Sequence, residues 1–206
     1  MLLPPSAVGS EPIDRKSNSF GLSVHKDGKS MEISNQKRED NYQEYLLLKR
    51  NPEYSIVTLN PKSGGVCAVH KEHCFDKQIG PYGCRRGQYE LTVAIVLSGE
   101  GHCILLESEY PKGKNIKVYD AIIDGIPAEI KTVESNGRWA IRTKIHAAIR
   151  QGASLLVLYF PSKLNYSEER IIEGWSYNKK TNQAITLNRI LAVVEGEVLE
   201  ILKPPG

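Results

Sequence analysis

Asp120, Glu129 and Lys131 stand close together in the stretch VYDAIIDGIPAEIKTVE, Val118 to Glu134. Two acids and a lysine are the residue types that hold a hard divalent cation and stabilise charge developing on a phosphoryl group. Asp124-Gly125 is a strong two-residue hairpin signal. Counting outward from it, Ile123 faces Ile126, Ile122 faces Pro127, Ala121 faces Ala128, Asp120 faces Glu129 and Val118 faces Lys131. Side chains alternate along a strand, so this register places Asp120, Glu129 and Lys131 on one face. Tyr119, Ala121, Ile123, Ile126, Ala128 and Ile130 fall on the other, an apolar face suited to packing on a helix. Two facing carboxylates repel, and burial raises the pKa of one of them unless a cation lies between. Lys131 relieves part of that repulsion, and a magnesium or manganese ion would relieve more. On a solvated sheet face the same three residues would be ordinary surface groups, and the register alone leaves both readings open.

The elements that must position this hairpin are legible from periodicity. NYQEYLLLKR (41–50) predicts a short helix ended by Asn51-Pro52, and YSIVTLN (54–60) a strand. QYELTVAIVLSG (88–99) predicts a helix with Leu91, Ala94, Ile95, Leu97 and Ser98 near one face and Gly99 beyond its end. HCILLES (102–108) reads as a strand, and the hairpin follows. RWAIRTKIHAAIRQG (138–152) predicts a helix stopped by Gly152. ASLLVLYF (153–160) is a continuous apolar run suited to a buried central strand. SEERIIEGWSY reads as a further helix, and 185–202 as two strands with a turn near Glu195-Gly196. The order from residue 88, helix, three strands, helix, strand, implies an α/β (α+β) fold with a mixed sheet flanked by helices. Residues 1–40 are polar and aperiodic and read as a flexible lead-in with a short strand near Phe20 to Leu22. Residues 41–86 form a basic Cys/His-containing extension, and 87–206 the main domain.

The helix 138–152 carries a second chemistry. Arg138, Arg142, His146 and Arg150 recur every four residues along one flank, beside a core stripe of Ile141, Ile145, Ala148 and Ile149. Such a basic stripe beside the hairpin suits a phosphate backbone, although a solvated helix face reads the same way. Trp139 can stack on a base or pack in a core. Upstream, CAVHKEHCFDKQIGPYGC gathers Cys67, His70, His73, Cys74 and Cys84, with Cys103 further on. Soft ligands at short spacing can bind zinc, but this spacing is not that of a standard finger, so structural zinc is possible and not favoured. Free thiols are the expectation. His70 or His73 is an alternative acid/base for RNA cleavage. Lys62, Lys71, Lys77, Arg85 and Arg86 make the segment basic enough to touch substrate.

An acid on one strand followed by Glu-x-Lys on the next resembles the signature of PD-(D/E)xK nucleases. The helix–three strands–helix–strand order resembles the core of those restriction-endonuclease-like enzymes. The resemblance implies Asp120 and Glu129 as metal ligands, Lys131 as the lysine of the signature, and Glu90 as the helical acid that assists the metal. Tyr119 stands where the proline of the name would be. The stretch from Gln88 to Phe160, with YDAIIDGIPAEIKTVES, the basic helix and AIRQGASLLVLYF, resembles C-terminal toxin domains of contact-dependent growth inhibition systems. Many of these cleave transfer RNA, and related stretches end phage and mobile-element proteins. This resemblance covers about a third of the chain. It implies a toxin nuclease acting on RNA, with an immunity protein as partner. Some such toxins resemble instead the barnase/EndoU/colicin/RelE group, which needs no metal; there Lys131, Thr132, Arg138 or a histidine would carry the chemistry. A third reading is a non-catalytic nucleic-acid- or partner-binding protein of a mobile element.

Composition bounds these readings. With 206 residues, 40% hydrophobic and 25% charged, the chain suits one globular domain plus appendages. A net charge of +3 permits a nucleic-acid partner without requiring one. No apolar run is long enough to span a membrane, and MLLPPSAVGS lacks the basic and apolar regions of a secretory signal. The expected site of action is the cytoplasm.

Overall fold

The structure is a computed structural model that describes residues 34–108, 110, 118–137, 139–181 and 186–202. The short strand expected near Phe20 to Leu22 lies outside them. An eight-stranded mixed sheet with its strands in chain order organises the molecule. The first helix, α1 (Asn35–Arg50), starts six residues before the expected 41–50. Its start is set by Ser34, whose hydroxyl accepts the Lys37 N–H at 3.2 Å. Only Asn41 and Leu48 are buried along it, so its first turns carry no apolar period to read.

β1 (Tyr54–Leu59) pairs antiparallel with β2 (Val66–His70). Sequence reasoning did not anticipate β2, whose five residues are all buried and so lack alternation. β2 runs parallel to β3 (Cys103–Leu106), so residues 41–86 and the rest of the chain share one sheet. Between them lies α2 (Gly87–Gly99), with Tyr89, Val93, Ala94, Leu97 and Ser98 buried. This corrects the expected core face: Ile95 is 58% exposed, and Tyr89 and Val93 take the core positions. A helix rich in apolar residues all round gives a weak moment, so its wheel could not fix the rotation.

β4 (Ala121–Ile123) and β5 (Ile126–Thr132) form the expected hairpin, with Ile123 opposite Ile126 and Ala121 opposite Ala128. Asp124 and Gly125 both have positive φ, 50° and 77°, the conformation that a tight two-residue hairpin turn requires. Asp124 is locked there. Its carboxylate accepts from the Cys103 N–H at 2.9 Å, the His102 ring at 2.6 Å and Lys37 at 3.2 Å. α3 (Ala140–Gln151) ends as expected at Gly152, which adopts the left-handed conformation with φ 76°. β6 (Leu155–Phe160) lies parallel to both β5 and β7 (Arg189–Val194), with α4 (Glu168–Thr181) connecting the latter pair. β8 (Glu197–Leu202) closes the sheet as an antiparallel hairpin with β7, turned at Glu195-Gly196.

Alternation sorts the layers. Ile104, Leu106, Ala121, Ala128, Ile130, Leu155 and Val157 pack with Val93, Ala94 and Leu97 of α2. The intervening residues Leu156, Leu158, Ile190 and Ala192 pack with Ile141, Ile145 and Ile149 of α3 and Ile171 of α4. Leu48 of α1 packs with Val66 and Ala68, again residues that alternate with those beneath α2. α2 therefore covers one face of the sheet, and α1, α3 and α4 the other.

Candidate active site

Glu129 and Lys131 alternate with Ala128 and Ile130, so they point away from α2, toward the face that carries α3. The three groups converge as the hairpin register requires. Lys131 Nζ donates to Asp120 Oδ2 at 3.0 Å and to Glu129 Oε2 at 2.5 Å. Asp120 stands just before β4, and its Oδ2 also accepts the Ile130 N–H at 2.9 Å, which fixes the carboxylate over β5. Glu129 is wholly buried, and its Oε1 has no hydrogen-bond partner among the described residues. Asp120 and Lys131 are about one-fifth exposed, so the site opens to solvent at their edge, with Glu129 beneath.

Burial, and after it the neighbouring Asp120 charge, push the Glu129 carboxyl up to about 7, against the pull of the Lys131 ammonium. For Lys131 burial works against the charge, but the two carboxylates outweigh it and hold its pKa above the ordinary lysine value. A buried acceptor without a donor, beside a second carboxylate, is an arrangement that gains from additional positive charge. In that respect Asp120 and Glu129 fit a hard divalent cation as oxygen ligands, though as a pair rather than a full set. Among the described residues no group of three or more His, Cys, Asp or Glu side chains is gathered as a metal-holding cluster.

Glu90 does not join the pair. It sits on α2, the helix on the opposite face, and its carboxylate is 2.9 Å from His73 Nε2. The other ring nitrogen of His73 donates to the Glu107 carbonyl at 2.7 Å. With its side chain 1% exposed and both nitrogens engaged, His73 is poorly placed to exchange protons with a substrate. His70 is likewise buried in β2, its Nδ1 accepting the Glu72 N–H at 3.1 Å. Cys67 is a core residue beneath α2, and all four cysteines are free. The two ligand-type residues of β2 thus belong to the interior of the sheet.

Sequence reasoning missed Glu107. Leu106 pairs with Ala121, and the Glu107 N–H donates to the Asp120 carbonyl at 3.2 Å, so Glu107, just past the end of β3, stands beside Asp120. Its carboxylate is claimed by the Tyr54 hydroxyl at 2.6 Å. Extending the hairpin register one strand further, onto HCILLES, would have found it. Also unforeseen is the bidentate pair of Arg86 with Glu134, at 2.9 and 2.6 Å, which ties the start of α2 to the segment after β5.

Of the basic stripe, Arg138 lies outside the described residues. Arg142, His146 and Arg150 line one flank of α3, with Ile141, Ile145, Ala148 and Ile149 buried as expected. Arg142 and His146 border a cleft of about 660 Å³ between α3 and α4, and Arg150 is solvent-exposed further along.

No protein-family model matches the sequence, and no curated protein matches it. A solved structure similar to this chain is the CdiA-CT/CdiI toxin and immunity complex from Burkholderia pseudomallei, at 18% identity and a TM-score of 0.44, with 66% of this chain and 98% of that one covered.

Proposed function

We propose that this protein is a nuclease of toxin type that hydrolyses phosphodiester bonds in RNA, transfer RNA among the substrates, at the Asp120–Glu129–Lys131 cluster. The observation that supports this reading is the convergence of three groups from adjacent strands, one of them a buried carboxylate with an unpartnered oxygen. Asp120 and Glu129 are the residues to hold a magnesium or manganese ion, which when bound supplies positive charge that polarises a phosphoryl oxygen and acidifies water. Lys131, charged and about one-fifth exposed beside Asp120, donates to a non-bridging phosphate oxygen as negative charge develops there. The Ile130 N–H keeps Asp120 oriented, and burial keeps bulk water from Glu129. A nuclease active in the cell that makes it needs a neutralising partner, and an immunity protein fills that role in this reading.

A metal-independent ribonuclease is the second reading. His146 favours it, because among the histidines His70, His73, His102 and His146 it alone is exposed. Incubation with total RNA and with plasmid DNA, each with and without EDTA, tests both. The metal-assisted reading expects RNA cleavage that EDTA and Glu129→Gln each abolish, and that Lys131→Ala abolishes without loss of metal binding. Cleavage that survives EDTA and the Glu129→Gln/Lys131→Ala double variant, but not His146→Ala, would move the chemistry to α3.

A further inference from the structure

α3 and α4 run in the same direction on one face of the sheet, with Arg142 beside Gly174 and His146 beside Asn178. The cleft between them is lined by Trp139, Arg142, Thr143 and His146 from α3 and its N-cap, and by Tyr177, Asn178 and Thr181 from α4. The Arg142 guanidinium lies 4.8 Å from the centroid of the Trp139 ring and 3.0 Å from that of Tyr177. Its partners among the described residues are these two rings, with no carboxylate. Two aromatic contacts hold the planar group while leaving the N–H donors at its edge for an anion. Trp139 is 54% exposed and Tyr177 45%, so both residues reach solvent beside the cation. Asn178 is buried, and its amide donates to the Gly174 carbonyl at 2.8 Å. That turns Asn178 Oδ1 toward His146 Nδ1, 3.0 Å away, which makes Nδ1 the donor and leaves Nε2 of the neutral ring as an acceptor.

We propose that this cleft binds one unpaired nucleotide of a single-stranded nucleic acid, its base stacked against Trp139 and Tyr177 and a flanking phosphate held by Arg142. Every base offers a flat face to an aromatic ring, but only once it leaves the stack of a duplex. A guanidinium fork takes two phosphate oxygens at once, which a lysine cannot. His146 Nε2 is at hand for the edge of the base or the ribose, while the Thr143 and Thr181 hydroxyls donate to the Trp139 and Tyr177 carbonyls, at 2.8 and 3.2 Å. The inference deepens the nuclease reading and rests on it only for the choice of RNA as the strand; the binding itself is measured without cleavage.

The chain has two tryptophans, so Trp175→Phe leaves Trp139 as the sole reporter. The full chain carrying Trp175→Phe and Glu129→Gln, the latter to stop metal-assisted cleavage, is titrated with a single-stranded RNA oligonucleotide of mixed sequence and with its duplex, both 2′-O-methylated to stop metal-independent cleavage. Tryptophan emission and the anisotropy of a labelled strand are followed. The single strand should quench Trp139 and bind more tightly than the duplex. Arg142→Lys and Tyr177→Ala should each weaken that binding about ten-fold. Tyr177→Phe, which keeps the ring, should leave it unchanged and so separates stacking from folding. No binding of the single strand, binding without a change in Trp139 emission, or equal affinity in Arg142→Lys and Tyr177→Ala would overturn the proposal. Because cleavage is not the readout, the hairpin can prove inert while the cleft still binds, and the reverse.

Discussion

Glu129 is an acid whose environment works against its charge. In the unfolded chain it titrates near 4.5, and in the folded protein near 7. A carboxyl with a raised folded pKa contributes stability that is fully present below the unfolded value and is lost as pH rises through the folded one. Glutamine has the shape of the protonated acid and no charge at any pH. Thermal melts at pH 4 and pH 8 should therefore show Glu129→Gln close to the parent at the lower pH. At the higher pH it should be more stable by on the order of 2 kcal/mol, about 4–8 °C in Tm for a chain of this length. A parent and variant that melt in parallel across that range would contradict the burial of the acid. Asp124 has the opposite sign. Burial raises its pKa, but the His102 ring, the Cys103 N–H and Lys37 outweigh burial and bring it down to about 2. Its stabilisation is present above the ordinary 3.8 and is lost as pH falls through about 2. Asp124→Asn keeps a side chain that tolerates the φ of 50° and loses the charge. It should cost about 2 kcal/mol in urea melts at pH 7, with the gap to the parent closing as the pH is lowered below 4.

At the level of elements, the approach of α3 to α4 depends on Gly174. A Cβ there would lie 3.1 Å from Ile145 Cδ1 and 3.3 Å from the Arg142 Cα, and the second contact is backbone that cannot turn aside. Alanine would recover about 1 kcal/mol of helix propensity, which roughly offsets the crowding. Gly174→Val has no such compensation and should lower stability by about 2 kcal/mol in denaturant titrations. It should also part Arg142 from Tyr177, seen as a change in Trp139 emission without any ligand. This helix pair was not legible in the sequence, because Tyr177 and Asn178 meet Arg142 and His146 only after two strands and two helices have packed. What was legible is local. The Asp124-Gly125 turn and a period of two set the register of the hairpin, and so the meeting of Asp120, Glu129 and Lys131. A stripe at helical spacing identified the buried side of α3. Where burial is uniform, periodicity has nothing to report: VCAVH in β2 went unread, and the rotation of α2 was set with Ile95 inward when it faces solvent. Glu90 was expected beside the acids from a family pattern, whereas here His73 holds its carboxylate.

Across the whole molecule, charge is nearly balanced, with 27 lysines and arginines against 24 acids. A field that weak cannot by itself hold a polyanion, so any strand this protein binds must be held by a few cations placed by the fold. Three of them share one side of the sheet. α2, with Glu90, covers one face, while Lys131, Arg142 and Arg150 belong to the face of α1, α3 and α4. Three phosphate contacts on a single strand release few counterions, and the logarithm of the affinity should fall against the logarithm of salt concentration with a slope of about −2. Removing one of the three cations should flatten that slope by about 0.7. Arg142→Ala tests this in anisotropy titrations from low to moderate salt, with Arg150→Ala as a second point on the same scale. The chemistry of the cleft adds a distinction between the two. Arg142 joins stacking to charge, so its loss should weaken binding even at high salt, where Arg150→Ala should converge on the parent. A slope of about −5 or steeper, insensitive to both substitutions, would mean that the strand follows some other basic surface and that neither α3 arginine guides it.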